Sequence, residues 1–141
     1  MFKVLESTII ERTPAEVFET AANPEKQLKW DSQTLQSVEK LSAGPLGKGV
    51  RYRGIFKGMG TVEYDFPEYE PGQRFVHHSV VGMGDMRHLF EIEPVPQGTR
   101  LTQSITVQPK GLWALMTPFM KIMMRNRMRT VAAELKTFLS N

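Results

Sequence analysis

The stretch Arg51-Tyr-Arg-Gly-Ile-Phe-Lys-Gly-Met-Gly-Thr-Val-Glu-Tyr-Asp-Phe66 decides the fold. If Gly58-Met59-Gly60 is a three-residue hairpin loop, Phe56 faces Val62, Gly54 faces Tyr64 and Tyr52 faces Phe66, all on one side. Arg51, Arg53, Lys57, Thr61, Glu63 and Asp65 fall on the other side, with Ile55 the exception. One face is apolar and the other is charged, the signature of an antiparallel sheet covered on one side only.

The same partition continues downstream. Met86, His88, Phe90 and Ile92 share a face against Arg87, Glu91 and Glu93, with Leu89 out of step. Leu101, Gln103, Ile105 and Val107 oppose Arg100, Thr102, Ser104, Thr106 and Gln108. Pairing Ile92 with Leu101 sets Gln103 beside Phe90 and Ile105 beside His88. Gly58–Gly60, Pro71-Gly72, Gly82-Met83-Gly84 and Pro94–Gly98 punctuate five strands between Val50 and Pro109. Residues 2–10 and 35–42 supply two more. Thr13-Pro14-Ala15-Glu16 carries the capping-box pattern of a helix running to about Ala22. Asn23-Pro24-Glu25 repeats the start signal for a second short helix ending near Trp30.

An apolar sheet face needs a cover. Residues 112–140 are the one helix long enough, with Pro118 early enough for only a kink or a late start. On a helical wheel Leu112, Met116, Phe119 and Met123 form an apolar stripe. It drifts toward Met124, Met128, Val131, Leu135 and Phe138. The expected architecture is α+β in a single domain over residues 1–141. A seven-stranded antiparallel sheet wraps a long C-terminal helix, with two short helices between the first and second strands.

Composition narrows the function. Hydrophobic residues at 40% and charged residues at 23% describe a globular chain. With no cysteine and three histidines, neither thiolate chemistry nor a His-rich metal site is expected. Five of the bases (Lys121, Arg125, Arg127, Arg129 and Lys136) lie in the final helix, so the net charge of +3 does not describe a nucleic-acid surface. Nothing resembles a signal peptide at Met1–Glu6, and the expected location is cytoplasmic. The glycine motifs lack dinucleotide or Walker spacing, so no cofactor is expected.

The element order resembles the helix-grip fold of the START and birch-pollen-allergen-like superfamily, and its polyketide cyclase/dehydrase branch in particular. The motifs that carry the resemblance are Ile10–Phe18, Asn23-Pro24 through Trp30-Asp31, Glu68–Phe75, Gly98–Leu101 and Glu134–Leu139. The resemblance spans the chain. It implies a cavity between sheet and helix for a lipid, quinone or polyketide-like molecule, and in some members catalysis of cyclisation or dehydration.

The residues expected around that cavity are Trp30, Tyr52, Phe56, Tyr64, Phe66, His88, Phe90, Gln103, Ile105, Met116, Phe119, Met123 and Arg127. Each polar member has two readings. His88 is a proton shuttle or ligand anchor, or a core histidine bonded to Tyr, Gln or backbone. A three-residue loop at Gly82-Met83-Gly84 sets His78 across from His88, and a two-residue loop brings His77 inward instead. Tyr52, Tyr64 and Gln103 orient a ligand or satisfy one another. Arg127 grips an anionic group, or reaches Glu134, or lies at a helix flank. Helix methionines suit an adaptable pocket as well as an ordinary core.

Three functions compete: a carrier of a small hydrophobic molecule, an acid–base cyclase or dehydratase using His88 and His78 with Tyr52 or Tyr64, and a membrane-surface protein. The third would make transient contact with anionic lipid through Trp113, Phe119 and the cationic helix. A pocket volume well below ~300 Å³ would remove the first two.

Overall fold

The computed structural model describes residues 1–140. Its strands are β1 (Phe2–Ile10), β2 (Leu35–Lys40), β3 (Arg51–Phe56), β4 (Gly60–Glu70), β5 (Arg74–Val81), β6 (Gly84–Val95) and β7 (Gly98–Pro109). They form one antiparallel sheet in the order β1-β7-β6-β5-β4-β3-β2, a meander whose last strand is closed by the first. Helices α1 (Pro14–Ala22) and α2 (Pro24–Trp30) join β1 to β2. Both begin as their sequence signals predict. The Thr13 hydroxyl accepts from Glu16 N–H and the Asn23 side chain from Glu25 N–H, each followed by proline in the first turn.

The C-terminal segment is a 3₁₀ stretch, Gly111–Met116, followed by α3 (Thr117–Ser140). Pro118 causes the change. In a continuous α-helix its nitrogen would bond Ala114 C=O, and proline has no N–H to give. The Thr117 hydroxyl donates to that carbonyl instead, at 2.9 Å. Met120, Met124, Met128, Val131 and Leu135 form the buried stripe, while Met116 and Phe119, expected inside, are exposed.

The faces segregate as predicted. Tyr52, Tyr64, Phe66 and Phe90 pack with Val131 and Leu135 in one cluster. Ile105 packs with Met120, Met124 and Met128 in a second. On the outer face Arg53 pairs with both Glu39 and Glu63, and Arg51 also pairs with Glu63. These pairs are exposed and contribute little to stability.

One hairpin departs from its expected register, and a second takes one of the two left open. In β3–β4 the loop is residues 57–59, so Tyr52 opposes Tyr64 and Gly54 opposes Val62. Gly58, at φ 87°, occupies the left-handed position of a turn closed by Met59 N–H donating to Phe56 C=O. The slip is two residues, so the faces are unchanged. In β5–β6 the loop is two residues, with Val81 opposite Gly84 and His77 opposite His88. Gly84 is a strand residue at φ 142°, and a Cβ there would collide with the Gln108 carbonyl of β7. β6–β7 has the predicted pairing, Ile92 with Leu101.

The buried stripe of α3 sets the stability. Leu135→Ala, at a fully buried position, is expected to cost about 2–5 kcal/mol. Phe138→Ala, at a position 39% exposed, should cost less than about 1 kcal/mol. Urea unfolding with an unchanged m value measures both, and equal losses would mean that α3 is seated on another face.

Candidate functional site

Between the sheet and α3 lies a cavity of about 90 Å³. Phe56 (β3), Val62 and Tyr64 (β4), His77 and Ser79 (β5), Met86, His88 and Phe90 (β6) and Ile105 (β7) line its sheet side. Met124, Arg127 and Val131 line it from α3, Gln27 from α2, and Met59 from the β3–β4 loop. Met59 is also 43% exposed, so the cavity meets solvent beside that loop.

Most of the wall is hydrocarbon, thioether or aromatic ring, and the polar groups within it are few. His88 is held from behind. Gln103, buried, donates its amide to the Met128 carbonyl at 2.9 Å, and its side-chain oxygen sits 2.9 Å from His88 Nε2. The Met128 contact fixes which end of the amide is oxygen, so Nε2 of His88 carries the proton. Nδ1 is left as a lone pair. The ring stacks on Phe90 with centroids 4.2 Å apart.

His77 lies opposite His88 and packs against Tyr64 and Phe66, with centroid separations of 4.8 and 4.7 Å. Among the described residues, nothing bonds His77 Nε2 or the Tyr64 hydroxyl, although both atoms are buried. Leaving such groups unmade costs about 1–3 kcal/mol each. Both imidazoles sit deep among protein atoms while keeping some surface toward the cavity. Burial first, then the nearby Arg127 charge, holds His77 down to about 3. Burial, His77 and Arg127 together outweigh the Gln103 hydrogen bond and hold His88 down to about 3. Both rings are therefore neutral at pH 7. Burial also pushes the Tyr64 phenol up, so it stays protonated.

Arg127 is the cation in the wall, and it is engaged. Its Nη1 and Nη2 donate to Asp31 Oδ1 and Oδ2 at 3.0 and 2.7 Å. Asp31, at the end of α2, is fully buried and also accepts from Gln27 Nε2 at 3.0 Å. The expected grip on a ligand anion, or on Glu134, gives way to this pair.

Of the predicted residues, Phe56, Tyr64, His88, Phe90, Ile105 and Arg127 line the cavity. Tyr52 and Phe66 lie one layer behind, packed on Tyr64, and Gln103 stands behind His88. Trp30 is core rather than cavity wall: it is 4% exposed and donates Nε1 to the Thr20 carbonyl. Met116 and Phe119 face solvent, and the half-buried Met123 belongs to the methionine cluster. His78 is corrected outright. The two-residue turn puts it on the outer face, between Asp65 and Asp85. His77 takes the inner place. The signal for it was Phe75, two residues earlier, which pairs and stacks with inward-facing Phe90 at 4.5 Å. Asp31 had no local signal, because its partner is 96 residues away.

Solved structures show the same fold. The chain is similar to Ara h 8.0201 (17% identity, TM-score 0.78, covering 99% of each chain). It is also similar to TTHA0849 of Thermus thermophilus (20%, 0.76, covering 96% of this chain and 94% of that one). A third is the Aha1 dimer of Colwellia psychrerythraea (16%, 0.72, 96% and 94%). Identities this low speak for the helix-grip architecture alone. No curated protein matches the sequence. Residues 1–139 match the family described as polyketide cyclase / dehydrase and lipid transport, which with the fold supports hydrophobic-ligand binding in general terms; the chain belongs to that family.

Proposed function

We propose that the cavity binds a small, neutral, largely apolar molecule carrying one hydroxyl or carbonyl group. The observation that supports this is the pair of orphaned polar atoms, Tyr64 Oη and His77 Nε2, in an apolar wall. A ligand hydroxyl placed between them would recover hydrogen bonds the protein leaves unmade. Among the described residues that line the cavity, a ligand carboxylate has no free cation to meet, because Arg127 already holds Asp31.

Size is the constraint on this reading. A volume of about 90 Å³ is well under the ~300 Å³ that the carrier and cyclase readings need, so the cavity as it stands is no preformed container for either. It falls short even of the ~150 Å³ that admits a benzene ring. Entry of a lipid, quinone or polyketide therefore requires the wall to yield. Met59, Met86 and Met124 are its unbranched, adaptable members.

General acid–base catalysis is the second reading, favoured by the His88 tautomer, which leaves a lone pair at Nδ1. The depressed basicity weakens it, since an efficient base has a pKa near the working pH. Turnover of a polyketide-like substrate that is unchanged in His88→Ala would end it.

Calorimetry with neutral 2-naphthol and anionic 2-naphthoate tests the binding proposal. Naphthol should bind at least about tenfold more tightly, and Tyr64→Phe should weaken it about tenfold. Equal affinities, or no binding of either at millimolar concentration together with no apolar guest in native mass spectra, would refute it.

A pH series gives an independent check. Naphthol affinity should be flat from about pH 5 to 8, since neither imidazole titrates there. An inflection near the ordinary histidine value would contradict the depressed basicity. Stability should behave differently. Below about 6.5 the unfolded chain takes up protons that native His77 and His88 refuse. That contribution is whole above about pH 6.5 and drains as pH falls toward about 3. The urea midpoint should therefore fall less steeply for His77→Gln than for the parent over this range.

A further inference from the structure

We infer that the 3₁₀ stretch and the first turns of α3 form a docking surface for an anionic lipid membrane. Leu112, Trp113, Leu115, Met116, Phe119 and Ile122, all within eleven residues, are each at least 40% exposed. The four at 112, 115, 119 and 122 follow helical spacing and make one outward stripe. Met120 and Met124 on the opposite side of the same turns are buried. Scattered exposed hydrophobes need no explanation, whereas a contiguous patch of this kind does.

Charge selects the occupant. No aspartate or glutamate occurs from Pro94 to Ala133, while Lys110, Lys121, Arg125, Arg127 and Arg129 lie within that run. Arg127 and Arg129 are paired with Asp31 and Glu6. Lys110, Lys121 and Arg125 are exposed, and among the described residues no carboxylate lies within ion-pair distance of them. An apolar stripe edged by unpaired cations complements the headgroups of an anionic bilayer, with Trp113 suited to the interfacial layer. A second copy of the chain fits less well, because a two-fold contact would bring like charges together. The helix would lie on the bilayer, since no helix of the described residues is long and apolar enough to cross one. This inference does not depend on what the cavity holds.

The two tryptophans make a built-in reporter. Trp113 is 40% exposed and Trp30 is buried, so a blue shift on binding comes from Trp113. The parent should float with phosphatidylcholine vesicles containing phosphatidylserine at low salt, with a blue-shifted emission, and should detach at high salt. Lys121→Gln and Arg125→Gln should each weaken binding about fivefold. The double variant Leu115→Ser, Phe119→Ser should abolish flotation without lowering the melting temperature. The inference is overturned by failure to float at low salt or by equal binding to pure phosphatidylcholine. It is also overturned if sedimentation shows a dimer that the double variant dissociates.

Discussion

The Arg127–Asp31 pair is the constraint on which the rest of the site depends. Burying a carboxylate is expensive unless its lone pairs are taken up. Here two guanidinium hydrogen bonds and one from Gln27 do so. The pair fastens the end of α2 to the middle of α3 and so fixes where the helix crosses the sheet. It also sets the chemistry of the cavity. The cation is close enough to depress both imidazoles, yet it is committed to Asp31. The site therefore combines an apolar wall with neutral hydrogen-bonding groups. That combination is what favours the proposed uncharged guest over an anion.

The core has two unlike ends, and the cavity lies at their junction. One cluster is aromatic: Phe66, Phe75, Phe90, Tyr52 and Tyr64 interlock with one another and with Val131 and Leu135. The other is built on Met120, Met124 and Met128, with Met83, Met86 and Met123 packed against it. Rings have few rotamers and many neighbours, whereas thioether chains rearrange at little cost. Expansion of a cavity this small should therefore come from the methionine end, with the aromatic end holding the polar groups in register. The orphaned Tyr64 and His77 atoms sit on the rigid side, as recognition of a ligand group requires.

How much was legible follows from the periods involved. Strand faces repeat every two residues, so the slip of two at β3–β4 left every side chain on its predicted face. At β5–β6 the two possible loop lengths differ by a single residue, which exchanges His77 for His78, and the pattern left both open. Gly84 made the length ambiguous, because it looks like turn chemistry but is demanded by the approach of the β7 backbone. In the helix the wheel offers two apolar stripes, and the sheet takes the one through Met124; Phe119, five residues earlier and ~140° around the same helix, is left outside with Met116. Phased from Met124, the same wheel gives the buried stripe. Asp31 was illegible because nothing near it in sequence marks its partner. Long-range ion pairs leave no periodic trace.

The first turns of α3 join the cavity wall to the outward apolar stripe. Phe119 and Ile122 point outward from the same turns whose inner side carries Met120, Met123 and Met124. The 3₁₀ stretch is tied to the soft end at its start, where Lys110 N–H donates to the Met83 carbonyl in the β5–β6 turn. A guest arriving from a bilayer beneath the outward stripe would therefore meet the methionine end first. It would not have to cross the charged outer face of the sheet. Seating the stripe in lipid would also remove the cost of exposing these apolar side chains to water, so the adaptable wall could move where movement is cheapest. In this arrangement the same helix covers the sheet, closes the cavity and presents its outward apolar stripe to the membrane.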